Sequence, residues 1–386
     1  MPAHSRKPPY RFLLVVSLIL ALLHLYVGLR LLPDMPVAAW GKGLGVAWLA
    51  LSWVLLPTTI LSRFVKRQSL ADALGWAGSL MMGVFSTLLV LTVLRDVFLG
   101  LGALVLPGAV ESRSAVWSAA AVPLLTVLIS LIGFFNARRR ARVVDVDIPL
   151  PGLPAALQGF TIAQISDIHV GPTIKRDYLD AIVDAVNDLQ ADLVAVTGDV
   201  VDGSVEHLAP HTAPLARLSA RHGTYFVTGN HEYYSGEAAW SEEFQRLGLN
   251  VLKNRHVVLE HGGASLVLAG VTDYSAHQFV PEERSDPAAA LAGAPTDAGT
   301  RVLLAHQPRS APAAAAAGFD LQLSGHTHGG QFWPWNHFVR LQQPYTAGLH
   351  RLGDLWVYTS RGTGYWGPPK RFGAPSEITR LRLVAA

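Results

Sequence analysis

Four apolar stretches, each close to the length that crosses a bilayer, fill the first third of this chain and limit its fold more than any other feature. They run Phe12–Leu29, Gly43–Leu61, Leu74–Leu94 and Ala115–Phe135. At 1.5 Å per residue, about 20 helical residues traverse a hydrocarbon core of about 30 Å. Basic residues mark three of the ends: Arg6, Lys7 and Arg11 before the first stretch, Arg63, Lys66 and Arg67 after the second, and Arg138, Arg139, Arg140 and Arg142 after the fourth. The two opposite loops are mixed, with Arg30, Asp34 and Lys42 in one and Arg95, Asp96, Glu111 and Arg113 in the other. Positive charge thus alternates in step with four crossings. That predicts a multi-pass inner-membrane protein with both termini, and everything beyond residue 142, in the cytoplasm.

Composition agrees. Of 386 residues 50% are hydrophobic and only 15% charged, against about 25% charged in an ordinary soluble domain. The net charge of +3 is explained by residues flanking the apolar stretches, so nucleic acid is not expected as a partner. The chain has no cysteine, which excludes disulfides and thiolate metal ligands. Val37-Ala38-Ala39 loosely resembles a signal-peptidase site, yet the later stretches would hold the protein in the membrane even after cleavage. His24 is the most obvious polar group within the spans and is expected to face a neighbouring helix. Gly75, Gly78, Ser79 and Gly83 are spaced for close helix contact. Nothing in the spans resembles a charged transport pathway, so residues 1–142 read as an anchor.

From residue 143 the pattern changes to alternating strands and helices. Val143–Leu150, Phe160–Ser166, Leu193–Thr197, Tyr225–Thr228, Arg301–Ala305 and Asp320–Leu323 read as strands. Asp177–Leu189, Leu208–Ala220, Ala238–Leu247 and the alanine-rich Ala311–Ala317 read as helices. Val257–Glu260 and Ser265–Val271 flank His261-Gly262-Gly263 as a hairpin, and short β-like runs follow Phe338. Such alternation predicts an α/β domain over 143–386, with helices on the faces of a sheet and ligands at the carboxyl ends of its strands.

Five segments at such ends carry metal-ligand residues: Ser166-Asp167-Ile168-His169, Gly198-Asp199-Val200-Val201-Asp202, Gly229-Asn230-His231-Glu232, Ala305-His306-Gln307 and Gly325-His326-Thr327-His328. Each alone is as well explained by a polar turn. Together they read as one site for two metals. Carboxylate, imidazole and amide oxygen suit Mn²⁺, Fe²⁺ or Zn²⁺. Asp167 and His169, two apart on extended chain, can share an ion, as can His326 and His328, and His306 completes the set. Asp199 is the carboxylate placed to bridge two cations, and Asn230 adds a neutral oxygen.

The five blocks, with Gly325–Gln331 reading Gly-His-Thr-His-Gly-Gly-Gln, resemble the calcineurin-like metallophosphoesterase superfamily over about residues 143–386, closest to its membrane-associated bacterial branch. The resemblance implies a β-sandwich flanked by helices in αββα layers. It implies one ion on Asp167, His169, Asp199 and His328, and a second on Asp199, Asn230, His306 and His326. His231 is then the catalytic imidazole beside the leaving group, with Asp202 oriented toward it. The implied activity is hydrolysis of phosphate esters, with phosphodiesters, pyrophosphates and lipid-linked phosphates as expected substrates. A nuclease, a cyclic-nucleotide phosphodiesterase or a non-catalytic metal-binding scaffold are the alternatives. Glu232 reads equally as a support for the ligands and as a helix-start carboxylate. Ser360–Lys370, with Trp366, reads as a loop covering the site or dipping into the membrane interface, or else as a plain β-turn between terminal strands; Phe332, Trp333 and Trp335 invite the same place, and an apolar substrate tail would suit them. Most of His207, His211, His222, His256, His261, His277, His337 and His350, outside the blocks, are expected to face solvent.

Overall fold

The structure is a computed structural model that describes residues 10–104 and 108–386. Arg6 and Lys7, read above as flanking charge, lie outside the described residues, as do the side chains of Arg63 and Glu111. The chain divides into two compact units.

The first unit takes the described residues up to Phe135 together with Gly367–Lys370. Its helices are α1 (Tyr10–Leu31), α2 (Ala39–Leu55), the single turn α3 (Thr58–Leu61), α4 (Gln68–Gly102) and α5 (Gly108–Arg138, which runs on past the unit). Among the described residues four helical stretches are long and apolar enough to cross a membrane: Leu13–Leu31, Ala39–Leu61, Gln68–Gly102 and Ser112–Arg138. Close contact uses the small residues, since a Cβ on Gly78 would lie 2.6 Å from Thr58 Oγ1. His24 faces its neighbours as expected, with Nε2 2.9 Å from Ser52 Oγ and its ring stacked 3.7 Å from Phe85. Two expectations need correction. Arg95 and Asp96 lie inside α4 rather than in a loop, and the helices do carry paired charges. Arg95 is buried and reaches Asp34 at 2.5 Å, and Arg30 meets Asp96 at 2.8 Å. Burying a guanidinium beside apolar helices is costly unless it is paired and its donors are used; Arg95 also donates to the carbonyls of Arg30 and Ala115. Lys370 packs among these helices and donates to the Gly83 carbonyl at 3.0 Å.

The second unit is a two-sheet sandwich. One sheet has the order β1-β12-β2-β3-β4-β5, built from β1 (Arg142–Leu150), β2 (Thr161–Ile165), β3 (Leu193–Val196), β4 (Thr224–Phe226), β5 (Asn250–Val251) and β12 (Glu377–Ala385). The other, β10-β11-β9-β8-β7-β6, comprises β6 (Arg255–His261), β7 (Ala264–Gly270), β8 (Thr300–Leu304), β9 (Leu321–Ser324), β10 (Gly348–Leu352) and β11 (Leu355–Thr359). Strands β2 to β5 are parallel, as are β7, β8, β9 and β11. Parallel strands need crossover connections, which supply the helices α6 (Arg176–Asp188), α7 (Val205–Thr212), α8 (Asn230–Ser235), α9 (Glu237–Arg246), α10 (Pro287–Ala290) and α11 (Ala311–Ala317).

Inward residues of both sheets, among them Ile162, Leu193, Leu268, Val302, Leu323 and Leu381, form the central core. Leu179, Ile182, Val183 and Val186 of α6, with Trp240 and Phe244 of α9, cover the outer face of the first sheet. Ala311 and Ala314 of α11 cover the second. These are the αββα layers that the resemblance implies. The expected helix Leu208–Ala220 is corrected: α7 gives way at Thr212 to a 3-10 turn over Ala213–Arg217, where Pro214 has no N–H for an α-helical bond.

Candidate metal centre

The loops after β2, β3, β4, β8 and β9 meet at one end of the sandwich. They bring the sequence-predicted residues together in three overlapping groups: Asp167 with His169 and His328, His169 with Asp199 and His231, and Asp199 with His306 and His326. Asp199 lies in two of them. Its Oδ2 is 3.2 Å from His306 Nε2, 3.9 Å from His169 Nε2 and 4.0 Å from His231 Nε2.

Two facing pairs of imidazole nitrogens test whether the site fits metals. His169 Nε2 and His328 Nε2 are 3.0 Å apart, and His326 Nδ1 and His306 Nε2 are 3.2 Å apart. Two nitrogens bound at about 2.0–2.1 Å to one ion are separated by about that much. The Oδ1 of Asn230 is buried with no hydrogen-bond partner, which is costly for an amide oxygen unless a cation receives it. The residues fit a pair of divalent ions.

Backbone conformation adds a second mark. Among the described residues eight non-glycine positions have positive φ, and five are Asp167, His169, Asp199, His326 and His328. That conformation costs of order 1–3 kcal/mol each at such sites, and it turns successive side chains toward one point. The motif glycines serve space instead. A Cβ on Gly325 would lie 2.2 Å from Asp167 Oδ2, and one on Gly229 would lie 2.2 Å from Asp199 Oδ1.

Charge follows from packing. Burial holds the imidazole of His326 down at about 3, with His306 adding repulsion. Burial, with His169 and Arg371, depresses His328 as well. Both therefore keep a lone pair for a ligand. At His231 burial opposes the charged form, yet Asp199 and Asp202 outweigh it and push the group up to about 9. Asp202 Oδ1 makes a short contact with His231 Nδ1, and its Oδ2 lies 3.2 Å from His169 Nδ1. Asp202 thus lies against two imidazoles, where the resemblance implied one, although His169 Nδ1 makes no hydrogen bond.

Glu232 holds the loops in register. It is fully buried, and its carboxylate accepts from Gly229 N at 2.7 Å, Asp199 N at 2.9 Å and Val200 N at 2.7 Å. Both expected readings hold, since the first bond caps α8 and the other two cross to the Asp199 loop. Two further supports escaped the sequence. Arg371, almost fully buried, donates to the His328 carbonyl at 2.7 Å and lies 3.1 Å from His328 Nδ1. Thr363 N donates to the Ser166 carbonyl at 2.7 Å, and Gly364 N to that of Asp167 at 3.0 Å. A lone arginine or threonine in an irregular loop carries no spacing signal. Among the described residues, the histidines outside the blocks that are exposed are His207 and His337. His222 and His261 instead pair with each other at 3.0 Å beside Phe160, because their strand-end positions put them against the sandwich edge.

Residues 160–330 match the model of the calcineurin-like phosphoesterases. An uncharacterized metallophosphoesterase of Aquifex aeolicus is 31% identical over 244 residues, covering 63% of this chain and 91% of its own. The chain belongs to the calcineurin-like phosphoesterase family. A transmembrane protein with metallophosphoesterase domain from Danio rerio is 38% identical over 271 residues, 68% of this chain and 62% of that one. An uncharacterized metallophosphoesterase of Helicobacter pylori is 38% identical over 257 residues, 65% of this chain and 66% of its own. The chain spans a little under two thirds of the length of these last two metallophosphoesterases.

Proposed function

We propose that this protein is a membrane-anchored phosphoesterase that uses two divalent ions to hydrolyse phosphodiesters or pyrophosphates, lipid-linked ones included, on the cytoplasmic face of the inner membrane. The observation that carries the reading is Asp199, whose Oδ2 sits between two ligand groups. Asp167, His169, Asp199 and His328 would hold one ion, and Asp199, Asn230, His306 and His326 the other. Mn²⁺, Fe²⁺ and Zn²⁺ all suit that donor set. Ions held there would supply Lewis-acid polarisation of the phosphoryl oxygens and an acidified water as nucleophile.

The chain's own residues do the rest. Asp202 fixes the Nδ1 side of His231, so the Nε2 proton is the one presented to a departing oxygen. The Asp202 carboxylate at Nδ1 favours the protonated imidazole, and in that form His231 neutralises that oxygen as its bond to phosphorus breaks, a contribution of typically about 10²–10⁴-fold. Glu232 and Arg371 keep the ligand loops in place. Four spanning-length helices and the transmembrane relative of Danio rerio support the anchor, and a membrane-bound enzyme meets lipid esters on its own surface. The test is hydrolysis of bis-p-nitrophenyl phosphate and p-nitrophenyl phosphate by the purified chain with Mn²⁺. Turnover of the diester, abolished by chelation, is expected. Inactivity with every divalent ion, beside an active control phosphoesterase, would overturn the proposal.

A further inference from the structure

One part of the Gly-His-Thr-His-Gly-Gly-Gln segment has no place in metal binding: its final glutamine. Gln331 is buried, and its side-chain amide grips the backbone of Trp366 from both sides. Gln331 Nε2 donates to the Trp366 carbonyl at 2.9 Å, and Trp366 N donates to Gln331 Oε1 at 2.9 Å. The glutamine is itself fixed, because a Cβ on the preceding Gly330 would lie 2.1 Å from Asn336 Cα and its neighbour Phe332 bridges to Phe372.

The clamp puts the Trp366 ring 5.5 Å from that of His231. Tyr234, one turn along α8, stands 5.1 Å from the same imidazole, and Phe279 extends the row 5.4 Å beyond Tyr234. All three rings are open to solvent, at 49%, 54% and 45% exposure. A contiguous exposed apolar patch of this kind marks a binding surface. Trp333 and Trp335, the aromatics the sequence suggested for such a role, have no ring contact with His231 among the described residues; Trp335 packs on Phe338 instead.

We propose that Trp366, Tyr234 and Phe279 form a subsite for the apolar, acyl-chain-like part of a phosphoester amphiphile, and that Gln331 is the positioning residue that holds Trp366 there. This deepens the proposed function and rests on it, since it places the apolar part on the leaving-group side, beside His231. Ring orientation favours a chain over a nucleobase. Trp366 and Tyr234 stand at 72° and 69° to His231, and Tyr234 at 67° to Phe279. Edges and tilted faces line a trough for methylenes, whereas a base stacks against a parallel ring. Amphiphiles are also the phosphoesters that a chain with four spanning-length helices among its described residues meets in a bilayer.

The test uses the full-length Mn²⁺-loaded chain in one detergent and measures inhibition of bis-p-nitrophenyl phosphate hydrolysis by methyl-, butyl- and octylphosphonate and by AMP. Wild type should bind octylphosphonate about tenfold or more tightly than methylphosphonate, given the free energy of burying each methylene. Trp366→Ala and Gln331→Ala should each flatten that series, and the double variant should be no flatter than Trp366→Ala alone. Should Gln331→Ala fold poorly, Tyr234→Ala carries the same expectation. A wild-type series indifferent to chain length would overturn the subsite while leaving the hydrolase intact. So would equal losses for methyl- and octylphosphonate in Trp366→Ala, or AMP as the ligand that Trp366 favours. Absence of any hydrolysis would instead fault the parent reading, and calorimetric binding of the same phosphonates would then decide the subsite.

Discussion

Replacing Glu232 with glutamine changes one atom at the point where two ligand loops meet. The carboxylate takes Gly229 N and Asp199 N on Oε2, and Val200 N on Oε1. A glutamine with its oxygen in the Oε2 position keeps two of these bonds, now to a neutral acceptor, and turns an NH₂ toward the third donor. Hydrogen bonds to a charged group are worth about 1.5–3 kcal/mol and neutral ones about 0.5–1.5, while a stranded buried donor costs about 1–3. With the carboxylate charged, the combined loss is roughly 3–5 kcal/mol, a large share of the 5–15 kcal/mol typical of a whole domain. In a unit of this size it corresponds to a fall in Tm of about 6–20 °C. Weakening of metal binding by about 10–100-fold should accompany it, as for other residues that support ligands from behind.

Protonation sharpens the test. Burial and the nearby charge of Asp199 push Glu232 up to about 8 from an ordinary 4.5. An acid whose folded value is raised binds its proton more tightly when folded. Its contribution to stability is therefore full below about 4.5 and is lost as pH rises toward about 8. Metal-free wild type should lose stability across that window more steeply than metal-free Glu232→Gln. Cations on Asp199 remove the repulsion, so the penalty of the substitution should be largest with Mn²⁺ at pH 8. Thermal melts and metal titration at pH 6 and pH 8 measure both effects. A variant with wild-type Tm and metal affinity at pH 8 would refute the role assigned to Glu232.

Gly325→Ala should lower metal affinity with the fold retained, because its Cβ would sit 2.2 Å from Asp167 Oδ2; overpacking of this kind costs about 1–3 kcal/mol, and equilibrium dialysis against Mn²⁺ reads the loss. His231→Ala should keep its metals and slow turnover most for esters with poor leaving groups, which a leaving-group series in kcat would check. Asp202→Asn removes one of the two charges that raise His231, so the alkaline limb of the kcat–pH profile should move to lower pH. A reporter fused after Ala386 should behave as cytoplasmic, and periplasmic activity would contradict the orientation.

Much of this was legible because each proposed ligand stands near the end of a strand whose apolar run is easily read. Asp167, Asp199 and His326 follow β2, β3 and β9 directly, so locating those strands located the site. The two-sheet arrangement was harder. A strand as short as Asn250–Val251 has no period to detect, and β12 pairs with β1 from the far end of the chain. The positive-φ backbone at five of the proposed ligands leaves only a weak trace in residue type, since Asp and His enter that region more often than most residues but do not require it. Gln331 and Trp366 stand 35 positions apart with β10 and β11 between them, a contact set by the folded loops alone. In the helical unit, hydropathy marked the crossings but put their ends too early, so Arg95 and Asp96 read as loop residues although paired charges hold them inside α4.

The most direct measurement is the metal content of the purified full-length protein, loaded with Mn²⁺ and freed of excess ion, beside Asp199→Asn. Two ions per wild-type chain, with both sites failing together when the shared carboxylate becomes an amide, is the predicted result. One ion or none in wild type, or two retained in Asp199→Asn, would contradict it.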